Sequence, residues 1–148
     1  MTDSFTVLLR VRYAECDAQQ VVFNSRYAEY ADLAATEYMR ALVGGYQALI
    51  NQGYDNQLVN MNLSWQSPAR FDDILAMQVW VSKVGKSSFT MNIKIQEHES
   101  NRAICDIEIV YVMVDATDFQ KRQVPNDFRQ KLLAGPTTAV VDLAAVGN

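Results

Sequence analysis

The chain has 148 residues, 49% of them hydrophobic and 20% charged, with a formal net charge of −4. This is enough for a single domain with a real core, and the acidic balance excludes general nucleic-acid binding, which needs a basic face to displace counterions from phosphates. No stretch approaches the roughly 18 consecutive apolar residues of a membrane span. Cys16 and Cys105 fit neither a metal-ligand spacing nor a disulfide framework, and Met1-Thr-Asp-Ser4 lacks the basic and apolar parts of a signal peptide. The expected setting is reducing and cytoplasmic.

Phe5, Val7, Leu9, Val11 and Tyr13 fall on one side of an alternating run, which predicts a strand from Phe5 to Tyr13. A polar loop centred on Asp17 follows. From Tyr27 the apolar positions Tyr27, Tyr30, Ala31, Ala34, Tyr38, Met39 and Leu42 recur at helical spacing. Asn24 or Ser25 is the expected N-cap, and Gly44-Gly45 the stop. Residues 44–57 read as a loop. Val59, Met61, Leu63 and Trp65 alternate with polar residues, predicting a half-buried strand that Pro68 ends. Further strands are predicted over Ile74–Val84, from Phe89 to Ile95, and from about Ala103 to Val114, joined by turns at Gly85-Lys-Ser87 and Ser100-Asn101. The last strand is apolar on both faces, with Val110, Val112 and Val114 on the second. That predicts burial there too, against another subunit. Pro125 to Leu133 is a short helix candidate, and the tail from Gly135 shows no period and is expected to be mobile. The domain therefore spans 1–134 with a tail over 135–148. One long helix among five strands with short turns is an α+β pattern with an antiparallel sheet.

An acid just upstream of a helix start has chemical use, because the free N–H groups there favour negative charge. Asp17 holds that place. On spacing alone an acid in this place is more often a turn former that bonds nearby amides. Glu15 is a competing acid two residues away. Cys16 has no catalytic partner signature, since the single histidine, His98, sits beside a predicted turn. No Gly-x-Ser-x-Gly elbow is present. Gly85-Lys-Ser-Ser88 imitates the end of a phosphate-binding loop, but Trp80 stands where its first glycine belongs, and it joins two strands.

The run Asp17-Ala-Gln-Gln-Val-Val-Phe-Asn-Ser-Arg-Tyr27 resembles the signature of the 4-hydroxybenzoyl-CoA thioesterase-like acyl-CoA thioesterases, as does Trp65-Gln-Ser-Pro-Ala-Arg-Phe-Asp-Asp73. With the strand pattern, the resemblance covers about residues 5 to 133. It implies a hotdog fold, a five-stranded antiparallel sheet wrapped around the long helix, assembled as a homodimer or homotetramer. It implies hydrolysis of an acyl-CoA to free acid and coenzyme A with no cofactor, Asp17 being the nucleophile or general base. Val22, Phe23, Asn24 and Tyr27 then line the substrate site, and Lys86 and Ser87 are expected at the coenzyme A phosphates. Arg102, Lys121 and Arg122 are further phosphate candidates. The chain departs from the pattern at one place, where Gln19-Gln20 stand for the loop glycine. Glycine permits backbone conformations that glutamine avoids, so the loop shape and any amide it presents stay open at this point. Two other readings remain. A related hydratase or dehydratase would need a histidine beside its acid, and a non-catalytic acyl-thioester-binding or interaction module would explain the missing glycine.

Overall fold

The structure is a computed structural model and describes residues 5–147; the reading of Met1–Ser4 as lacking a leader lies outside them. In chain order the elements are β1 (Phe5–Arg10), a 3₁₀ turn (Tyr13–Glu15), α1 (Arg26–Val43), α2 (Tyr46–Asn51), β2 (Tyr54–Trp65), β3 (Ile74–Val84), β4 (Ser88–Glu97), β5 (Ala103–Asp115), α3 (Asn126–Ala134) and β6 (Val140–Asp142). The strands form one six-stranded sheet in the order β2-β5-β4-β3-β1-β6. All neighbours are antiparallel except β1 and β6. Among the described residues no helix is long and apolar enough to cross a membrane.

The helix α1 lies on one face of this sheet because its apolar residues share a side. Tyr27, Tyr30, Ala31, Ala34, Ala35, Tyr38 and Met39 are all buried, while Leu42 is only half-buried. They meet the inward residues of the strands, among them Leu75, Met77, Val79, Met91, Ile93, Ile107 and Ile109. Gly44 ends the helix at φ +89°, with its N–H donating to the Arg40 carbonyl. Neither Asn24 nor Ser25 caps with its side chain. Ser25 already has a helical backbone, and the Phe23 carbonyl accepts the Arg26 N–H instead.

Several boundaries differ from expectation for identifiable reasons. β1 stops at Arg10 because the Glu15 carboxylate captures the Arg12 N–H at 2.8 Å, which closes the 3₁₀ turn. Residues 44–57 are not all loop. α2 occupies six of them, too short to show a period, and β2 begins at Tyr54. The polar Asp55, Asn56 and Gln57 take strand geometry because β5 offers them partners at Val114, Met113 and Val112. β2 is an edge strand with a bulge between Leu58 and Asn60, and Leu58, Val59 and Trp65 stand exposed; of the four residues predicted to face inward, only Met61 and Leu63 are half-buried. On the second face of β5, Ile104 and Val114 are covered within the chain, leaving Val110 and Val112 half-buried.

The count of five strands is corrected to six. The stretch after Gly135 supplies β6, pairing Val140, Val141 and Asp142 with Thr6, Val7 and Leu8. Three residues carry no readable alternation; the strand forms because β1 presents a free edge. The Asp142 carboxylate then accepts the N–H groups of Ala144, Val146 and Gly147, closing the chain after it.

Candidate active site

The loop between the 3₁₀ turn and α1 is folded on itself by Asp17. The Asp17 N–H donates to the Val21 carbonyl and its own carbonyl accepts the Gln20 N–H, both at 2.9 Å. One carboxylate oxygen accepts the Gln19 N–H at 2.8 Å. The turn-forming and the chemical readings of this acid are thus compatible: one oxygen holds the loop, and the other has no partner among the described residues. Gln20 adopts φ +65°, the left-handed conformation that glycine takes without penalty. This chain therefore keeps a glycine-like turn without the glycine, at a cost of about 1–2 kcal/mol for a residue with a Cβ.

Glu15 has a different fate from Asp17. It is 4% exposed. Its carboxylate accepts hydrogen bonds from the Arg12 N–H at 2.8 Å, the Arg12 guanidinium at 2.6 and 3.0 Å, and the Tyr30 hydroxyl at 2.8 Å. Burial pushes its carboxyl up, but the bonds from Arg12 and Tyr30 and the guanidinium charge outweigh burial and hold it below the usual carboxylate range. Burial and the adjacent Glu15 raise the Tyr30 hydroxyl in turn. Every lone pair of Glu15 that the fold can satisfy is engaged, so it ties the loop to α1 and is no rival base. Burial, with the charges of Glu15 and Asp17, also pushes the Cys16 thiol up, away from a reactive thiolate.

The two motifs singled out in the sequence meet here. Ala69, fully buried, donates its N–H to the Tyr27 hydroxyl at 3.1 Å and accepts the Val22 N–H at 2.9 Å. Residues Val21 and Arg70 form an isolated bridge. Tyr27 and Val22 are consequently held in the core, while Phe23 is 51% exposed. The Arg26 N–H is taken by Phe23, whereas the amides of Asn24 and Ser25 have no partner among the described residues. Arg102 is engaged within the chain. Its guanidinium staples the Pro-Ala segment by donating to Ser67 Oγ at 2.6 Å, the Pro68 carbonyl at 2.7 Å and Asp73 at 3.2 Å.

Asp17 lines an open cleft of about 570 Å³ together with Tyr13, Cys16, Ala18, Gln20 and Phe71. Tyr13 and Phe71 meet edge to face, 6.1 Å between ring centres. Sequence reading missed both. Tyr13 counted as an inward strand residue, and Phe71 carries no signal except its place in the Pro-Ala segment. A second hollow, about 180 Å³, lies between α1 and the sheet, lined by Ala35, Met39, Phe89, Met91 and Tyr111 with Asp32 at its edge. It starts six residues along α1, roughly 9 Å from the helix start, and contains no second acid or base.

Lys86 and Ser87 are not brought to Asp17. They occupy the β3–β4 turn, where the Lys86 carbonyl accepts the Val124 N–H and the Ser87 carbonyl accepts the Met113 N–H. The Asp17 loop docks beside the start of β3, and Lys86 follows its end at Val84, roughly 30 Å of strand away. Lys121 and Arg122 do join Lys86 at that end. Arg122 is engaged within the chain, stacked 4.0 Å from the Tyr54 ring centre and 3.6 Å from Asp115. His98 lies half-buried at the end of β4, its N–H donating to the Ile74 carbonyl, and it does not line the Asp17 cleft.

A family model described as the thioesterase superfamily matches residues 19–104. Acyl-CoA thioester hydrolase YbgC of Escherichia coli is 28% identical over 124 residues, covering 84% of this chain and 92% of that protein. The 4-hydroxybenzoyl-CoA thioesterase of a Pseudomonas species is 23% identical over 141 residues, covering 86% and 96%. Among solved structures, a thioesterase-superfamily protein from a Jannaschia species superposes with a TM-score of 0.85 over 93% of this chain and 96% of its own, at 17% identity. The shared architecture is the hotdog fold.

Proposed function

The chain belongs to the thioesterase superfamily, and we propose that it hydrolyses acyl-CoA thioesters to free acid and coenzyme A with Asp17 as the acting carboxylate. The observation that carries this reading is the Asp17 oxygen without a partner, held in an open cleft beside a helix start with unengaged amides. In one route the carboxylate takes a proton from water as the water oxygen bonds to the thioester carbon. The C–S bond then breaks, and the proton passes to the departing sulfur. In the other route Asp17 itself attacks, the thiolate leaves, and water cleaves the resulting anhydride. Either route builds negative charge on the carbonyl oxygen. The Asn24 and Ser25 amides are the donors for it, since Arg26 is already engaged. Neither route consumes a redox equivalent, because water and the thioester supply every atom of the products.

Val22 and Tyr27 shape the floor beneath the substrate, and Phe23 and Asn24 border it. Lys86 and Ser87 serve the nucleotide end of coenzyme A from a second copy, given their distance from Asp17 in one chain. A homodimer or homotetramer is the expected assembly. β2 supports it, because it leaves an unpaired edge with Leu58, Val59 and Trp65 exposed. Sedimentation at micromolar concentration checks this, and a stable monomer removes the assembly and the Lys86 role together. The decisive assay is thiol release over a panel of acyl-CoAs by the wild type and Asp17→Asn. The hydratase reading receives no support from His98, which lies outside the cleft. A cytoplasmic setting is the expected one, and the two free thiols are compatible with it.

A further inference from the structure

We infer that Arg102 is a positioning residue for Asp17, an inference that rests on the hydrolase reading of the Asp17 cleft. The arginine ends the turn between β4 and β5, and its backbone is fixed there. Its N–H donates to Ser100 Oγ at 3.2 Å, and its carbonyl accepts the Glu97 N–H at 2.9 Å. From this anchor the half-buried guanidinium reaches back 29 to 35 residues in sequence. One Nη donates to both Ser67 Oγ and the Pro68 carbonyl, and the other donates to Asp73. A planar fork spans acceptors in such fixed directions, which the point charge of a lysine does not.

The segment so held, residues 67–73, is the one against which the Asp17 loop is built. The Asp73 oxygen that meets Arg102 also accepts the Arg70 N–H at 2.9 Å. Arg70 bridges to Val21, and the Ala69 carbonyl accepts the Val22 N–H. The Val21 carbonyl in turn accepts the Asp17 N–H. A continuous series of bonds therefore runs from the guanidinium to the backbone of the acid. Glu15 ties the entry of the loop to α1 through Tyr30, while the exit at Val21 and Val22 is held by this segment. Misplacing a reacting group by about 1 Å costs on the order of 10²-fold in rate. Loosening Arg102 thus reaches the chemistry without any contact to substrate.

The test is a double-mutant cycle between Arg102→Ala and Asp17→Asn, read by thiol release from an acyl-CoA that the wild type cleaves. Arg102→Ala is expected to lower kcat about tenfold with a smaller change in KM. In the Asp17→Asn background the same change should cost less than about twofold, because the group it positions no longer acts. Arg102→Lys should fall between wild type and Arg102→Ala, and methylguanidinium added to Arg102→Ala should recover part of the turnover. A wild-type kcat in Arg102→Ala, or an equal loss in both backgrounds, overturns the inference. So does a raised KM with kcat unmoved, which would place Arg102 at the coenzyme A phosphates. If Arg102→Ala does not fold, the cycle is decided with Arg102→Lys on the same criteria. Amide hydrogen exchange at Val22, compared with Ile93 in β4, reads the positioning without turnover. Val22 should exchange faster in the Arg102 variant while Ile93 does not, and an unchanged Val22 overturns the inference. A wild type that cleaves no acyl-CoA overturns the hydrolase reading, while Val22 exchange still decides whether Arg102 holds the loop.

Discussion

The two ends of the sheet are built on different principles. At the Asp17 end, side chains do the holding: Glu15 binds Arg12 and Tyr30, the Tyr27 hydroxyl accepts the Ala69 N–H, and Arg102 donates to Ser67, Pro68 and Asp73, so three separate stretches of chain converge. At the Lys86 end, the turn is held by backbone bonds from Met113 and Val124 and by Arg129, which donates to the Val84 and Gly85 carbonyls. The Lys86 side chain itself is left exposed. A group that must meet a reacting carbon needs its position determined in advance. A cation that attracts a phosphate from solvent needs only to be nearby.

The sharpest test of this contrast is Asp17→Asn. It keeps the Gln19 hydrogen bond and the loop while removing the ionisable oxygen, so turnover should fall on the order of 10²-fold or more with the fold intact. Thiol release against circular dichroism measures both, and near-normal turnover refutes the mechanism.

Glu15→Gln comes next and should act on the other quantity. Removing the charge from a buried carboxylate with a guanidinium partner is expected to lower stability by about 2 kcal/mol. That corresponds to roughly 6 °C in melting temperature. Because the folded carboxyl lies below its ordinary value, its stabilisation is present above the unfolded pKa and is lost as pH falls through the folded one. The wild type should thus lose stability on acidification below the usual carboxylate range more steeply than Glu15→Gln. Equal slopes would place Glu15 outside the stabilising network.

Tyr30→Phe removes one of those bonds and should cost about 1 kcal/mol by denaturant titration. A loss as large as that of Glu15→Gln would mean that the hydroxyl, not Arg12, holds the carboxylate. The smallest effect is expected at Lys86→Ala: a KM raised about threefold with turnover unmoved, and a difference that fades at high salt. An unchanged KM removes Lys86 from the substrate site.

Much of this architecture was legible because it is periodic. The buried face of α1 follows from Tyr27, Tyr30, Ala31, Ala34, Tyr38 and Met39, and β3, β4 and β5 fall within two residues of their predicted bounds. Elements of three or six residues, β6 and α2, show no period and were not legible. In β2, the polar Asp55–Gln57 hid strand geometry that β5 imposed. At the candidate site, the Asp17 loop and the Pro-Ala segment were each singled out by a motif, and the fold brings the two together.

What the sequence determined by itself is the set of faces: which residues turn inward, where the long helix runs, and that an acid stands before it. These follow from local spacing, which a linear chain records directly. What only the tertiary structure decided is the division of labour among neighbours. Glu15 and Asp17 are chemically alike and two residues apart. One is buried against Arg12 and Tyr30, and the other keeps an oxygen without a partner. That difference depends on Tyr30 from α1 and Ala69 from the β2–β3 connection, and the Ala69–Tyr27 bond closes across 42 residues of sequence. Burial and hydrogen bonding are set by such through-space neighbours, so no local reading of the loop contains them.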